Sequence, residues 1–98
     1  MNRDVAIAAL AARADALRAK GAASAYLFGS TVRDEARPDS DLDIFIDIAP
    51  GRPFSLFDLL KIQHFLEDEL GHDVDLTTRD SLHPLLRADI ERDAVRVF

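Results

Sequence analysis

One segment of the chain alternates strictly between polar or aromatic residues and aliphatic ones, and this pattern limits the fold more than any other feature. The segment runs from Asp41 to Ile48 and reads DLDIFIDI. Alternate side chains of a β-strand point to opposite faces of its sheet. We therefore predict a strand over residues 41–48 with an aliphatic face turned to a core. Its other face carries Asp41, Asp43, Phe45 and Asp47.

Helix and strand patterns on both sides of this segment predict an α/β (α+β) fold with a small mixed sheet. The expected helices, which follow apolar residues at helical spacing, cover residues 3–20, 32–36, 55–70 and about 81 or 84 to 92. The expected further strands cover residues 25–28, 73–77 and 95–98. This order of elements places helices on one face of the sheet and leaves the other face to the carboxylates.

The length and composition of the chain fit one domain. With 98 residues, of which 48% are hydrophobic, residues 1–98 are expected to form a single domain around one core. The absence of Cys excludes a disulfide framework and a thiolate metal site. No stretch approaches the ~20 apolar residues of a membrane span, and the start of the chain does not resemble a signal peptide. We therefore expect a cytoplasmic protein without a membrane partner.

An excess of acidic residues limits the partners. Eighteen Asp and Glu against twelve Lys and Arg give a formal net charge of -6. A protein with this charge repels a phosphate backbone, so long nucleic acid is not an expected partner. A nucleoside triphosphate would have to be held by a local arrangement of metal ions or hydrogen-bond donors.

Two neighbouring acids of the predicted strand are candidate metal ligands. Residues i and i+2 of a strand lie about 6.6 Å apart on one face, so Asp41 and Asp43 can converge on one cation. Mg²⁺ often binds through one or two carboxylates plus the phosphates of its substrate, and Mn²⁺ accepts similar ligands. Asp75 is the candidate third ligand, although Asp73 projects to the same face; three carboxylates suit a site with two ions. Asp47, farther along, is expected to be a solvated surface acid.

A Gly-Ser pair directly after the predicted strand at 25–28 is a candidate phosphate site. Gly29 would give a flexible backbone, Ser30 a hydroxyl, and the helix start free N–H groups for an anion. Arg33 would lie near the first turn of that helix, within reach of the same phosphates. Taken alone, Gly29-Ser30 would be an ordinary turn, and Arg33 could equally be a surface charge.

The spacing between these two groups of residues resembles a known signature. Gly29-Ser30, ten further residues (31–40) and Asp41-Leu42-Asp43 match the Gly-Ser, ten residues, Asp-x-Asp pattern of the minimal nucleotidyltransferases (MNT) in the polymerase beta superfamily. The surrounding LFGSTVRDEARPDSDLDIFID is similar to that family almost residue for residue. The order of elements and the length extend the resemblance to nearly the whole chain, but its specific part lies within residues 26–47.

The resemblance implies a polymerase beta-like nucleotidyltransferase palm and a role for each candidate residue. Ser30, with Gly29, would hold oxygens of the triphosphate. Asp41 and Asp43 would bind two Mg²⁺ ions. Asp75 would complete the catalytic metal site and help to orient the attacking hydroxyl.

One departure from the family pattern lies beside the phosphate turn. Arg33 is similar to a phosphate-contacting Arg of many members, and relatives often have Gly after that Arg. This chain has Asp34 instead. The substitution adds negative charge beside the phosphates without touching the metal ligands.

The resemblance also implies a partner. Short chains of this family commonly pair with a HEPN-type ribonuclease toxin and act as its antitoxin, by transferring AMP from ATP to a toxin tyrosine. A chain of 98 residues leaves no room for a second-substrate pocket, so we expect the acceptor on another molecule. The alternatives are a non-catalytic nucleotide-binding antitoxin that acts by complex formation, and nucleotidyl transfer to a small molecule. The helix at 55–70 is apolar over a wide surface, which would serve either a partner or a deep core.

Overall fold

The computed structural model describes residues 1–98 and has a four-stranded mixed sheet at its centre. The strands are β1 (Ala22–Phe28), β2 (Leu42–Ile48), β3 (Val74–Thr78) and β4 (Val95–Arg96). Their order across the sheet is β3-β2-β1-β4. The central strand β2 is antiparallel to β1 and parallel to β3, and β4 is antiparallel to β1. The small mixed sheet that the sequence predicts is confirmed.

Three helices supply side chains to the core on the aliphatic face of this sheet. They are α1 (Arg3–Ala11), α2 (Ala14–Ala19) and α3 (Leu56–Leu70). Their core residues are Ala6, Leu10, Leu17, Ile62 and Leu66. The fourth helix, α4 (Arg87–Asp93), contributes no buried residue. None of these helices is long and apolar enough to cross a membrane.

The aliphatic side of β2 lies at the centre of the core, as its alternation predicts. Leu42, Ile44 and Ile46 are each 1% exposed, whereas Ile48 at the end of the strand is 39% exposed. Burying one such side chain contributes about 1.5–3 kcal/mol. Because a slip of one residue would turn all of them to the wrong face, their burial fixes the register of β2 and the position of Asp43.

The helix predicted over residues 3–20 is two helices, because Arg13 interrupts it. The backbone of Arg13 has φ -107° and ψ 12°, outside the helical region. Its side chain donates a hydrogen bond of 2.7 Å to the carbonyl of Ala9. In a continuous helix that carbonyl would accept the backbone N–H of Arg13, which instead bonds to the carbonyl of Leu10 at 3.0 Å.

The long helix α3 begins and ends where the sequence predicts. Ser55 and Asp58 form a capping box, in which each side chain accepts the backbone N–H of the other residue. Gly71 ends the helix in the left-handed conformation, with φ 60°. The start of β3 is therefore fixed by the end of a well-capped helix.

The segment after β1 differs from the short helix predicted over residues 32–36. The only helical turn here is a 3-10 turn over Gly29–Thr31. The N–H of Glu35 bonds to the carbonyl of Ser30 at 2.9 Å. Asp34 has φ 56°, which a right-handed helix does not allow. The Gly-Ser pair is therefore part of the turn and does not precede a helix.

The last helix begins later than predicted. A 3-10 turn over Arg79–Ser81 follows β3, and α4 starts only at Arg87. Leu82 is extended, with ψ 140°, and Pro84 disfavours helical backbone at the residue before it. The predicted terminal strand is confirmed as β4, which is short.

Candidate active site

Three acids meet at the end of the sheet where β2 and β3 begin. Asp43 and Asp75 are register partners on these parallel strands, so their side chains project from neighbouring positions on one face. Asp41 lies just before β2. The structure thus places Asp75 and Asp41 near Asp43, close enough that both carboxylates act on its pKa. Asp73, the alternative third acid, lies outside β3, one residue before its first position.

Burial and repulsion disfavour the charged form of Asp43. Desolvation raises the pKa of this carboxyl group above its ordinary value, and the carboxylates of Asp75 and Asp41 raise it further. The positive charge of Arg33 offsets part of this effect. Asp41 and Asp75 are both exposed. A cation at this place would relieve the repulsion among the three acids.

The chemistry of these donors fits a divalent cation that binds together with a substrate. No group of three or more His, Asp or Glu side chains is arranged to hold a metal ion by itself. Mg²⁺ usually keeps several waters and binds through one or two carboxylates plus substrate phosphates. The close pair Asp43 and Asp75 supplies the protein part of such a ligand set.

Gly29 packs directly against Asp43. Its φ of 78° lies in the region that favours glycine, and a Cβ at this position would lie 2.3 Å from Oδ2 of Asp43. Phe28, the residue before it, is the register partner of Asp43 on β1. The backbone of the Gly-Ser turn therefore contacts the central carboxylate. An anion held by this turn would lie next to a cation held by the acids.

Ser30 is half-buried within the 3-10 turn. Backbone bonds fix the turn: the carbonyl of Ser30 accepts from Glu35 at 2.9 Å, and that of Thr31 accepts from Asp34 at 3.2 Å. The hydroxyl of Ser30 takes no part in these bonds. It is available to donate to an oxygen of a ligand.

Arg33 lies on the surface beside the turn. Its Nε donates to Oε2 of Glu35 at 3.0 Å, and its side chain is 52% exposed. A surface pair of this kind is worth about 0–1 kcal/mol, so a phosphate could replace Glu35 as the partner of Arg33 at little cost. Phosphate binding by Arg33 stays a prediction.

Behind the acids, the same face of the sheet carries an aromatic cluster that the sequence patterns did not reveal. Phe45 is 0% exposed. It stacks on Tyr26 with 4.7 Å between ring centroids, and Phe28 lies 5.7 Å from it. The alternation places Phe45 on this face, but only the register of β1 against β2 shows that aromatic residues cover it.

The prediction of a solvated Asp47 is wrong. This carboxylate accepts a hydrogen bond from Ser24 at 2.7 Å and two from Arg79 at 2.8 and 3.1 Å. The bonds from Arg79 are the main reason that the pKa of Asp47 is lowered. The Arg79 guanidinium also lies 4.7 Å above the ring of Tyr26 and 4.9 Å above that of Phe45. Arg79 follows β3, so its approach to Asp47 depends on the pairing of β3 with β2.

Comparison with known sequences gives consistent matches over most of the chain. The family model of the nucleotidyltransferase domain matches residues 12–97. A candidate protein adenylyltransferase of Methanocaldococcus jannaschii is 42% identical over 78 residues, which are 80% of this chain and 82% of that protein. The protein adenylyltransferase MntA of Thermococcus cleftensis is 38% identical over 71 residues, which are 72% of this chain and 70% of that protein.

Solved structures share the fold. The structure of a candidate minimal nucleotidyltransferase has a TM-score of 0.81 at 35% identity, and the match covers 97% of this chain and 95% of that one. A crystal structure of a toxin–antitoxin complex with AMP-PNP contains a chain with a TM-score of 0.71 at 21% identity, and the match covers 100% of this chain and 73% of that one. At the lower identity the likeness concerns the fold alone. The fold and family expected from the sequence are confirmed.

Proposed function

This chain belongs to the nucleotidyltransferase domain family, and we propose that it transfers AMP from ATP to a partner protein in a reaction that depends on Mg²⁺. The contact of Gly29 with Asp43, beside Asp75, carries this proposal, because it joins a candidate phosphate turn to candidate metal ligands. The names of relatives that are 42% and 38% identical support a protein as the acceptor. Residues 1–98 would act as one catalytic domain.

In this proposal the turn at Gly29 and Ser30 binds the triphosphate. The Ser30 hydroxyl and backbone N–H groups of the turn donate to phosphate oxygens. Arg33 leaves Glu35 and pairs with the same phosphates. These donors form the local positive arrangement that a chain of net charge -6 needs to hold an anion.

The acids would hold two Mg²⁺ ions, or Mn²⁺ in their place. Asp41 and Asp43 would bind both ions, and Asp75 would complete the catalytic one. Bound there, the ions would neutralise charge on the triphosphate and stabilise the charge that develops at the α-phosphate. The raised pKa of Asp43 supports this assignment, since the fold partly buries this carboxylate beside two other acids, and the charge of Arg33 offsets only part of the effect.

The reaction is an in-line displacement at the α-phosphorus. The oxygen of an acceptor hydroxyl forms a bond to this phosphorus while the bond to the oxygen that bridges the α- and β-phosphates breaks. Pyrophosphate leaves. The exposed carboxylate of Asp75 accepts a hydrogen bond from the attacking hydroxyl and aligns it, and the proton passes to this carboxylate or to water.

We infer that the acceptor is a tyrosine of a HEPN-type ribonuclease toxin, which AMP transfer neutralises. A second function is favoured by one observation: Phe57 and Leu56 at the start of α3 are 76% and 69% exposed. Exposed apolar side chains that lie together often mark a protein interface. A non-catalytic antitoxin would use such a surface to hold the toxin without modifying it.

Labelled ATP distinguishes these functions. The chain is incubated with Mg²⁺, a HEPN-type protein as the candidate partner, and ATP labelled at the α-phosphate or at the γ-phosphate. AMP transfer puts only the α-label on the partner. Label from the γ-phosphate would replace the proposal with phosphoryl transfer. A stable complex that carries neither label would favour the binding antitoxin.

A further inference from the structure

A concave surface lies beside the Gly-Ser turn, on the side away from Asp75. It has a volume of about 130 Å³, less than the ~300 Å³ at which pockets begin to enclose a whole small-molecule ligand. It can therefore hold part of a nucleotide and not all of it. Its lining residues come from the end of β1, the turn and α4: Phe28, Gly29, Arg33, Asp89, Ile90 and Asp93.

Apart from Arg33, which binds phosphates in the proposed function, the chemistry of this surface suits a nucleoside better than a phosphate. Phe28 and Ile90 provide apolar area for a base or a sugar. Asp89 and Asp93 repel phosphate but accept hydrogen bonds from amino or hydroxyl groups. Arg92 donates to Asp89 at 2.8 Å, whereas its closest approach to Asp93 is 3.7 Å. The Asp93 carboxylate is thus the freer acceptor.

One wall of this surface is α4, and an arginine outside the helix holds it. The helix buries no residue of its own. Its Glu91 pairs with Arg79, and Arg79 pairs with Asp47 on β2 and stacks over Tyr26 and Phe45. The Arg79 side chain is only 23% exposed, so these contacts are partly shielded from water. Arg79 therefore ties α4 to the sheet next to the candidate site.

We propose that the concave surface between α4 and the Gly29–Arg33 segment receives the nucleoside part of the nucleotide, and that Arg79 is the positioning residue that fixes its α4 wall. The inference rests on the proposed function, because the turn at Gly29 must hold the phosphates for the nucleoside to reach α4. It assigns the two parts of the nucleotide to different elements: phosphates to the turn and acids, nucleoside to Phe28 and α4.

Two ligands distinguish nucleoside binding from phosphate binding. Binding of ATP and of inorganic tripolyphosphate, each with Mg²⁺, is measured by calorimetry on the wild-type chain and on Glu91→Gln and Ile90→Ala. The wild type binds ATP more tightly than tripolyphosphate. Each substitution weakens ATP binding about tenfold, the effect of one lost partly buried contact, and changes tripolyphosphate binding less than about twofold. Ile90→Ala leaves every ion pair of Arg79 in place. It therefore tests the contact of α4 with the nucleoside separately from the positioning of α4 by Arg79.

Glu69→Gln is the matched control, because it removes the same charge from another pair between elements, Arg13 with Glu69, away from α4. It leaves the binding of both ligands unchanged. In transfer assays, Glu91→Gln raises KM for ATP and keeps kcat within about twofold, a split that general loss of structure does not produce. Thermal melts show that each variant is folded.

Equal weakening of both ligands, unchanged ATP binding in both variants, or equal wild-type affinity for ATP and tripolyphosphate would overturn the nucleoside site. These outcomes differ from failure of the proposed function. If the wild type shows the predicted binding pattern and labels no partner, the site stands and protein AMP transfer is wrong. If the partner is labelled and the variants bind ATP normally, protein AMP transfer stands and the nucleoside site is wrong.

Discussion

Oδ2 of Asp43 occupies the space that any side chain at Gly29 would need. A Cβ at Gly29 would lie 2.3 Å from this oxygen and 3.1 Å from Cγ of the same residue. Both distances are too short for the turn and the carboxylate to keep their positions. The backbone of the Gly-Ser turn and the central acid are therefore one structural unit, and a change at one displaces the other.

Gly29→Ala should abolish transfer through this contact. The added methyl pushes Asp43 or the turn by about an ångström, a displacement that costs about 100-fold in rate at a preorganised site. Gly51→Ala is the matched control, because Gly51 has φ 75° and no atom within 4 Å of its Cβ position. Both variants lose about 1–2 kcal/mol of stability from left-handed backbone, measured by urea unfolding. Only Gly29→Ala should lose activity. Similar activity in the two variants would mean that the contact of Gly29 with Asp43 does not position the site.

Asp43→Asn should stabilise the fold while it abolishes transfer. The pKa of Asp43 is raised by burial and by two neighbouring acids, so its charged form costs free energy above that pKa. A neutral side chain removes this cost and raises Tm by about 2–5 °C at neutral pH without metal. The gain shrinks as pH falls, because Asp43 of the wild type then takes up its proton.

Asp73→Asn is the control for this prediction, since Asp73 precedes β3 and is exposed. It keeps transfer activity and leaves Tm near that of the wild type. If Asp73→Asn were the inactive variant and Asp75→Asn active, the third ligand would be Asp73.

Asp34→Gly should stabilise the turn and tighten nucleotide binding. Asp34 has φ 56°, a conformation that glycine adopts without the steric cost of a Cβ. We expect a gain of about 0.5–1 kcal/mol, seen in urea unfolding. Asp34→Ala separates charge from backbone: it removes the same negative charge beside Arg33 but keeps the strain. Tighter ATP binding in both variants assigns the effect to charge, whereas tighter binding in Asp34→Gly alone assigns it to the backbone.

Asp47→Asn should change how stability depends on pH. The pKa of Asp47 is lowered mainly by its hydrogen bonds from Arg79. A lowered pKa in the folded state contributes stability above the ordinary carboxyl value of 3.8, and this stability is lost as pH falls through the folded-state pKa. The variant is therefore less stable at pH 7, by about 1–2 kcal/mol for the charge-assisted bonds, and the difference shrinks as pH falls below 3.8.

Urea unfolding from pH 2 to pH 7 measures this difference. Asp15→Asn is the control, because Asp15 pairs with Arg18 in full solvent, where a pair is worth about 0–1 kcal/mol, and its stability should stay near that of the wild type. A constant difference between Asp47→Asn and the wild type across this range would mean that the Arg79 bonds do not depend on the charge of Asp47.

The sequence predicts those parts of the molecule that depend on local patterns. The alternation at residues 41–48 predicts β2 and the side on which Asp43 lies, and Ser55 and Gly71 predict the ends of α3. The spacing of Gly29-Ser30 to Asp41 predicts that turn and acids act together. These features need only the chain on either side of each residue.

The features that were missed depend on contacts between distant segments. The pair Asp47–Arg79 follows from the pairing of β3 with β2, and the cover over Phe45 follows from the register of β1 against β2. The break at Arg13 is the exception, because it arises from a side chain that competes for a backbone carbonyl four residues earlier. The 3-10 turn at Gly29 is set by packing on Asp43, a contact that no local sequence pattern indicates.

The intact mass of the partner protein shows directly whether this chain transfers AMP to it. A HEPN-type protein, as the candidate partner, is incubated with Mg²⁺, ATP and either the wild type or Asp41→Asn, and complex formation is followed in parallel. We expect the partner to gain the mass of one or more adenylyl groups with the wild type and none with Asp41→Asn, although both form the complex. A complex with the wild type and no gain in mass, or a full gain with Asp41→Asn, would contradict it.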